Sequence, residues 1–239
     1  MYSIMLGNDK CTIQNLNKTD LFSVTVINIS TDIFEIGNAN NELVSFIKLN
    51  DKNDSTLSSA QQCVFDVCKD NYSKEDIESL LGRWSVSFPI FDNVQGVSKC
   101  HCENIISIVL LCLRYLSMNN YKFLLCEHCG KPFCIPKSRK TSRTKYCNRF
   151  SPCILDDGLD YRHLHCEQAT RNIKQQLSRM KKRCYNTFYG TAEYAKTSGE
   201  NLITFQQTCD LYRGCDSQTL ISYYNYLKDI LSGGGAHNG

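Results

Sequence analysis

No apolar run in the sequence is long enough to cross a bilayer. The most apolar stretch, Ile105 to Leu116, is interrupted by Ser107 and Arg114 and falls well short of the roughly 20 residues a spanning helix needs. It reads instead as a core helix. The opening residues, Met1-Tyr-Ser-Ile-Met-Leu-Gly-Asn-Asp, lack the cationic start and apolar stretch of a secretory leader, so a cytoplasmic chain with no membrane partner is expected. No Walker loop, dinucleotide fingerprint, Gly-x-Ser-x-Gly elbow or His-Glu-x-x-His occurs, which removes the common enzyme signatures. No internal repeat is present either.

Cysteine, by contrast, is abundant: there are 15 in 239 residues. An odd number spread along a chain without a leader argues against a disulfide framework, which belongs to short secreted sequences. Reduced thiols are expected, four of them as metal ligands and most others as small buried hydrophobes.

The net charge of +3 hides an asymmetry. Residues 1–120 hold 9 Lys/Arg against 14 Asp/Glu, residues 121–190 hold 15 against 5, and residues 191–239 hold 3 against 5. A basic island between acidic flanks is the distribution of a polyanion-binding module joined to other elements. At this length the chain accommodates two unequal parts, each with its own core.

An α+β organisation follows from the patterning, with a mixed amino-terminal domain over 1–120, a finger with a basic helix over 121–190 and a helical segment over 191–239. Alternating stretches such as Phe22-Ser-Val-Thr-Val and Asp32-Ile-Phe-Glu-Ile suggest a small antiparallel sheet or hairpins. Ser59 is placed to cap a helix through Lys69, and Ser73-Lys-Glu-Asp-Ile opens a second. The apolar helix runs from Glu103 to Asn119-Asn120, packs the first domain onto the finger, and feeds a strand, Tyr121 to Cys126. Cys166, Ala169, Ile173, Leu177, Met180, Cys184 and Phe188 form the apolar stripe of a long helix whose other faces carry Arg171, Lys174, Arg179, Lys181, Lys182 and Arg183. Gly190 is its expected end. Two helices near Leu202–Tyr212 and Ser217–Leu231 follow, then a Gly-rich tail.

The chemistry concentrates in Cys126-Glu-His-Cys129-Gly-Lys-Pro-Phe133 and, after a long excursion, Tyr146-Cys147 and Cys153. Two cysteines two residues apart, followed by a glycine that permits the tight turn, can both face one Zn2+ ion. The expected ligands are Cys126, Cys129, Cys147 and Cys153; Cys134, His163, His165 and Cys166 compete for the last place. Four thiolates leave no open position, so such a zinc is structural rather than catalytic. The excursion carries Lys137, Arg139, Lys140, Arg143 and Lys145 interleaved with hydroxyls, a composition suited to phosphate oxygens. Together with Arg171, Lys174, Lys181 and Lys182 these are the candidate nucleic-acid contacts. A second metal site around Cys63, Cys68 and Cys100-His-Cys102 is a weaker reading, since cysteine is commonly buried. Trp84 and the tyrosines read as packing residues.

The knuckle, the Tyr146-Cys147 and Cys153 pair and the basic helix resemble the bacterial regulators that join an ABATE domain to a CGNR-type zinc finger, and a related group of Firmicute zinc-finger proteins. The resemblance is specific over about residues 121–185. It implies a treble-clef-like finger that binds DNA, an amino-terminal domain that senses a small ligand, and zinc held by Cys126, Cys129, Cys147 and Cys153. The family's Gly-Asn-Arg after the last cysteine is replaced here by Ile154-Leu-Asp-Asp, and Asn148-Arg149 lies between Cys147 and Cys153. The leading expectation is a non-enzymatic, double-stranded-DNA-binding transcriptional regulator. The alternatives are a protein-interaction module with a structural zinc, and a metal-dependent nuclease built on Asp156, Asp157, Asp160, His163 and His165.

Overall fold

A computed structural model describes residues 2–7, 10–15, 21–25, 54–69, 76, 79, 92–94, 97–102, 105–138, 143–156, 158–189 and 199–232. The expected strand at Asp32, the Ser73 helix start, Trp84, Glu103, Arg139, Lys140, Asp157, Gly190 and the Gly-rich tail lie outside these residues. The chain forms two compact units, Met1–Leu125 with Lys131–Lys145, and Cys126–Gly130 with Tyr146–Gly239. The division therefore runs through the knuckle rather than before residue 121.

In the first unit β1 (Tyr2–Gly7), β2 (Lys10–Asn15), β3 (Leu21–Thr25), β4 (Asp92–Val94) and β5 (Val97–Cys102) form an antiparallel sheet in the order β3-β2-β1-β5-β4. The register sets Ile4 opposite Ile13. Both are buried, as the alternating pleat requires of one face. The sequence suggested the early hairpins but not β4 and β5, whose Asn, Lys, His and Cys content is weakly strand-forming.

Helix α1 (Asp54–Lys69) begins ahead of Ser59, which lies within it. Ala60, Cys63, Val64, Val67 and Cys68 are buried at three- and four-residue spacing, and α1 packs on α2 (Ile105–Met118), the apolar helix. Six consecutive residues of α2, Ile108 to Leu113, are buried, so it is a helix covered nearly all round. Asn120, at φ 59°, turns the chain out of the helix, a left-handed conformation that Asn tolerates. The chain then enters β6 (Tyr121–Leu125), which pairs antiparallel with β7 (Pro132–Pro136).

The second unit is built on α3 (Cys166–Cys184), which continues as a π-helical turn over Tyr185–Tyr189, and on α4 (Gly199–Leu211) and α5 (Ser217–Leu231). The stripe expected for α3 is present. Ala169, Ile173, Leu177 and Cys184 share one core with Phe205 and Cys209 of α4 and Leu220, Tyr223, Tyr224, Leu227 and Ile230 of α5. The helical carboxy-terminal segment is thus part of the same unit as the basic helix. Tyr212 stacks on Tyr223 at 5.0 Å and Tyr189 on Phe205 at 4.5 Å, so these tyrosines are packing residues as expected. Asp216 caps α5 by accepting from the Thr219 amide at 2.8 Å. Among the described residues, no helix is long and apolar enough to cross a membrane.

Candidate metal centre

The sequence between β6 and β7 turns tightly because Gly130 can adopt φ 68°. Its amide donates to the Cys126 carbonyl at 2.9 Å, which closes the knuckle and brings Cys126 and Cys129 to one side. A Cβ on Gly130 would meet nothing within 4 Å. Gly130→Ala is therefore expected to act through backbone strain alone, lowering stability by roughly 1–2 kcal/mol, with Gly130→Asn losing less; chemical denaturation of the two variants checks the order.

The return segment explains which cysteines join the knuckle. Phe150 pairs antiparallel with His165, the Ser151 amide donates to the Leu164 carbonyl at 2.8 Å, and the Cys166 amide donates to the Arg149 carbonyl at 3.0 Å. This short ladder folds residues 147–151 against 164–166 and sets Cys147 beside Cys166. The residues between form a second, smaller turn, with Ile154 paired to Asp160.

Four sulfurs, those of Cys126, Cys129, Cys147 and Cys166, lie within 4.8 Å of one another. Cys129 Sγ is 3.6 Å from Cys147 Sγ, and Cys147 Sγ is 3.8 Å from Cys166 Sγ. Sulfurs at the corners of a zinc–thiolate tetrahedron with bonds of about 2.3 Å stand about 3.8 Å apart. The cluster can hold a metal ion. The Cys147 amide also points at Cys126 Sγ, at 3.4 Å, the kind of contact that supports a thiolate.

Cys153, expected as the fourth ligand, is not in the cluster. It is fully buried in the apolar core with Leu155, Ala169 and Ile173, where burial pushes its thiol up to about 11. Position on the ladder gives the reason: Cys153 lies beyond the Phe150–His165 pair, whereas Cys166 follows it directly and opens α3. The other competitors are elsewhere. Cys134 is buried in β7, His163 is exposed, and His165 stacks on Phe150 with ring centroids 4.8 Å apart.

The cluster shares its protons. Cys126 is held far below the ordinary thiol value by hydrogen bonds from the Cys129, Cys147 and Cys166 thiols. Cys147 falls to about 6, since sharing with Cys126 pushes it up while Cys129 and Cys166 pull it further down. Cys166 is raised by the same partners, Cys126 first. This mutual sharing is what closely packed thiols do, and metal binding releases those protons.

His128, inside the knuckle, has a role the sequence did not reveal. Its side chain is buried, with Nδ1 at 2.9 Å from Thr170 Oγ1 and 3.3 Å from the Cys215 carbonyl, and Nε2 at 2.7 Å from Ser151 Oγ. Thr170 donates its own proton to the Cys166 carbonyl at 2.8 Å, and a carbonyl only accepts, so Nδ1 carries the imidazole proton. Nε2 then accepts from Ser151, whose oxygen takes the Cys153 amide at 3.0 Å. Burial lowers the His128 pKa, in keeping with this neutral ring. The His128 carbonyl also accepts from the Ser217 amide at 2.8 Å. One residue thus ties the knuckle to the first turn of α3, the return ladder and the start of α5. A histidine between knuckle cysteines and a threonine on the apolar stripe were the available signals.

The acidic turn has structural partners. Asp156 pairs with Lys228 of α5 at 2.6 Å, and Asp160 pairs with Arg162 at 2.6 Å. Among the described residues the cysteine cluster is the group of His, Cys, Asp or Glu side chains gathered closely enough to hold an ion. Cys63 and Cys68 are buried in α1, while the side chains of Cys100 and His101 lie outside the described residues.

Of the expected cations, Lys137, Arg143 and Lys145 are exposed in the first unit. Arg171 and Lys182 are exposed on α3, and Lys181 is half-buried. Lys174 is exposed but directed to Cys215 Sγ at 2.9 Å. Arg179 and Arg183, which were not among the expected contacts, are also exposed on α3. No family model, curated protein or solved structure matches this chain.

Proposed function

We propose that the second unit is a zinc-stabilised, non-enzymatic nucleic-acid-binding module of the treble-clef type that acts on double-stranded DNA, in keeping with a transcriptional regulator. The observation that carries the reading is the helix that leaves the thiolate cluster. Cys166 is both the fourth member of the cluster and the first residue of α3. The solvent side of that helix carries Arg171, Arg179, Lys182 and Arg183. A knuckle, a short return ladder and a helix opening on the last ligand are the parts of a treble clef, the module expected from the resemblance of residues 121–185 to the CGNR-type fingers, with Cys166 here in the place given there to Cys153.

The zinc serves as a clamp. Four sulfurs leave it no open coordination position, so it polarises no substrate and activates no water. Among the described residues the acids and histidines of the 156–165 segment form no group gathered closely enough to hold an ion, which favours the structural reading over nuclease chemistry.

DNA affinity is expected to fall with log salt at a slope of about 0.9 per phosphate contacted, so three contacts give roughly a 40-fold loss between 50 and 200 mM. Replacing Arg179, Lys182 and Arg183 with Gln should remove most of that slope and leave the zinc content unchanged. Fluorescence anisotropy over a salt series measures it. Unchanged affinity in the triple variant contradicts the assignment of this surface, and retained binding of an acidic protein without DNA affinity favours the protein-interaction reading.

A further inference from the structure

We infer that the amino-terminal half of α3 reads base edges in the major groove of duplex DNA, while its carboxy-terminal half holds the phosphates. This rests on the nucleic-acid-binding reading given above and adds the substrate feature that is recognised.

At 100° per residue, Gln168, Arg171, Gln175 and Lys182 fall on one stripe, opposite the buried Ala169, Thr170, Ile173 and Leu177. All four are exposed. The stripe changes character along its length. Its first two turns present two amides and one guanidinium. Lys174, nearby, is drawn aside to Cys215 at 2.9 Å. Beyond Ser178 come Arg179, Lys182 and Arg183 with no acid among them.

These two halves match the two kinds of contact that proteins make with a duplex. Lysine and arginine on phosphates position the protein and carry no sequence information. Glutamine and asparagine make paired hydrogen bonds to adenine N6 and N7, and arginine to guanine O6 and N7. The amides and Arg171 therefore lie where base readout would be expected, and the cation-rich half where the chain would meet the backbone.

Two further features fit. A groove of about 420 Å³ runs beside the start of α3, lined by Tyr146, Asn148, His165, Gln168 and Arg171 among others, so Asn148 adds a third amide from the return segment. Arg171 pairs with Glu167 at 3.2 Å with both side chains mostly exposed, and an exposed pair of this kind is weak enough to exchange for a base. Glu167 would then be free to accept from cytosine N4 across the same base pair. Rigidity is supplied from beneath, since Cys166 belongs to the thiolate cluster and Thr170 is bonded to His128. The major groove of B-DNA, about 12 Å wide, admits a helix, whereas that of A-form RNA is too narrow for side chains to read.

The test is selection of duplexes from a randomised DNA library by the full chain loaded with zinc, repeated for Arg171→Ala, Gln175→Ala and Arg179→Gln. The wild type is expected to enrich a short motif containing G or A. Arg171→Ala and Gln175→Ala should each lose roughly 10- to 100-fold of discrimination at one position, with little change in salt slope. Arg179→Gln should weaken every sequence alike and reduce the slope by about 0.9. Tight, salt-dependent binding with no enriched motif overturns base readout while leaving DNA binding intact. Equal weakening of all sequences by Arg171→Ala, or equal affinity for duplex RNA, overturns it as well. Absence of binding to any nucleic acid overturns both this inference and the function it rests on.

Discussion

Replacing Cys166 with serine is expected to abolish zinc retention, whereas Cys153→Ala retains it in full. The two residues are separated by the ladder that pairs Phe150 with His165. On one side Cys166 Sγ lies 3.8 Å from Cys147 Sγ; on the other, Cys153 faces the helical core. A serine hydroxyl is a poor zinc ligand, and three thiolates without their fourth bind far less tightly. Structural zinc contributes about 10–16 kcal/mol of apparent binding energy in small fingers, so its loss is expected to unfold the knuckle and the first turn of α3. Cys166→His, which offers a nitrogen donor in place of the sulfur, should recover part of the binding. Cys153→Ala removes a small buried thiol and should lower stability by about 1 kcal/mol. Zinc competition titration and metal analysis of the three variants decide the point. Zinc lost in Cys153→Ala and kept in Cys166→Ser would reverse the assignment.

His128→Phe is expected to have the next largest effect, even though it keeps the ring volume. It leaves the Ser151 hydroxyl proton without its Nε2 acceptor at 2.7 Å and takes the Nδ1 proton away from Thr170 Oγ1 and the Cys215 carbonyl, although Thr170 keeps its bond to the Cys166 carbonyl and Ser151 keeps the Cys153 amide. Each buried polar group left without its partner costs about 1–3 kcal/mol, and with Thr170 and Ser151 still partly bonded a total of roughly 2–4 kcal/mol is expected for the second unit. Because the same residue positions the knuckle, zinc affinity should also fall about 10- to 100-fold, as happens when groups that orient metal ligands are removed. His128→Ala, which adds a cavity, should be no more stable than His128→Phe. Urea denaturation together with zinc titration tests this; a His128→Phe protein of unchanged stability would show that the network is dispensable.

Much of the second unit was legible in the sequence because period and punctuation agreed. The Cys126-x2-Cys129-Gly130 knuckle announced its turn, the stripe from Cys166 to Cys184 announced α3, and the helical pattern over Ser217–Leu231 announced α5. The fourth cysteine was not legible from spacing. Cys153 stands closer to Cys147 along the chain, but spacing is blind to the antiparallel pairing of residues 149–151 with 164–166 that carries Cys166 back to the cluster. A stronger signal lay in the stripe itself, since a cysteine that opens an amphipathic helix is held at a fixed place by everything packed beneath it. His128 was invisible for a related reason: its partners, Ser151, Thr170 and Cys215, are 23, 42 and 87 residues away. In the first unit the apolar helix was readable from composition, but β4 and β5 lack the β-branched alternation that marks a half-buried strand.

The proposed zinc site of Cys126, Cys129, Cys147 and Cys166 is open to a direct spectroscopic check. X-ray absorption spectroscopy on protein purified without added metal reports the ion and its ligands together. One zinc per chain is expected, with four sulfur neighbours at about 2.3 Å and no nitrogen or oxygen bonded to it. An absence of zinc, or a shell containing a histidine nitrogen in place of one sulfur, would contradict it.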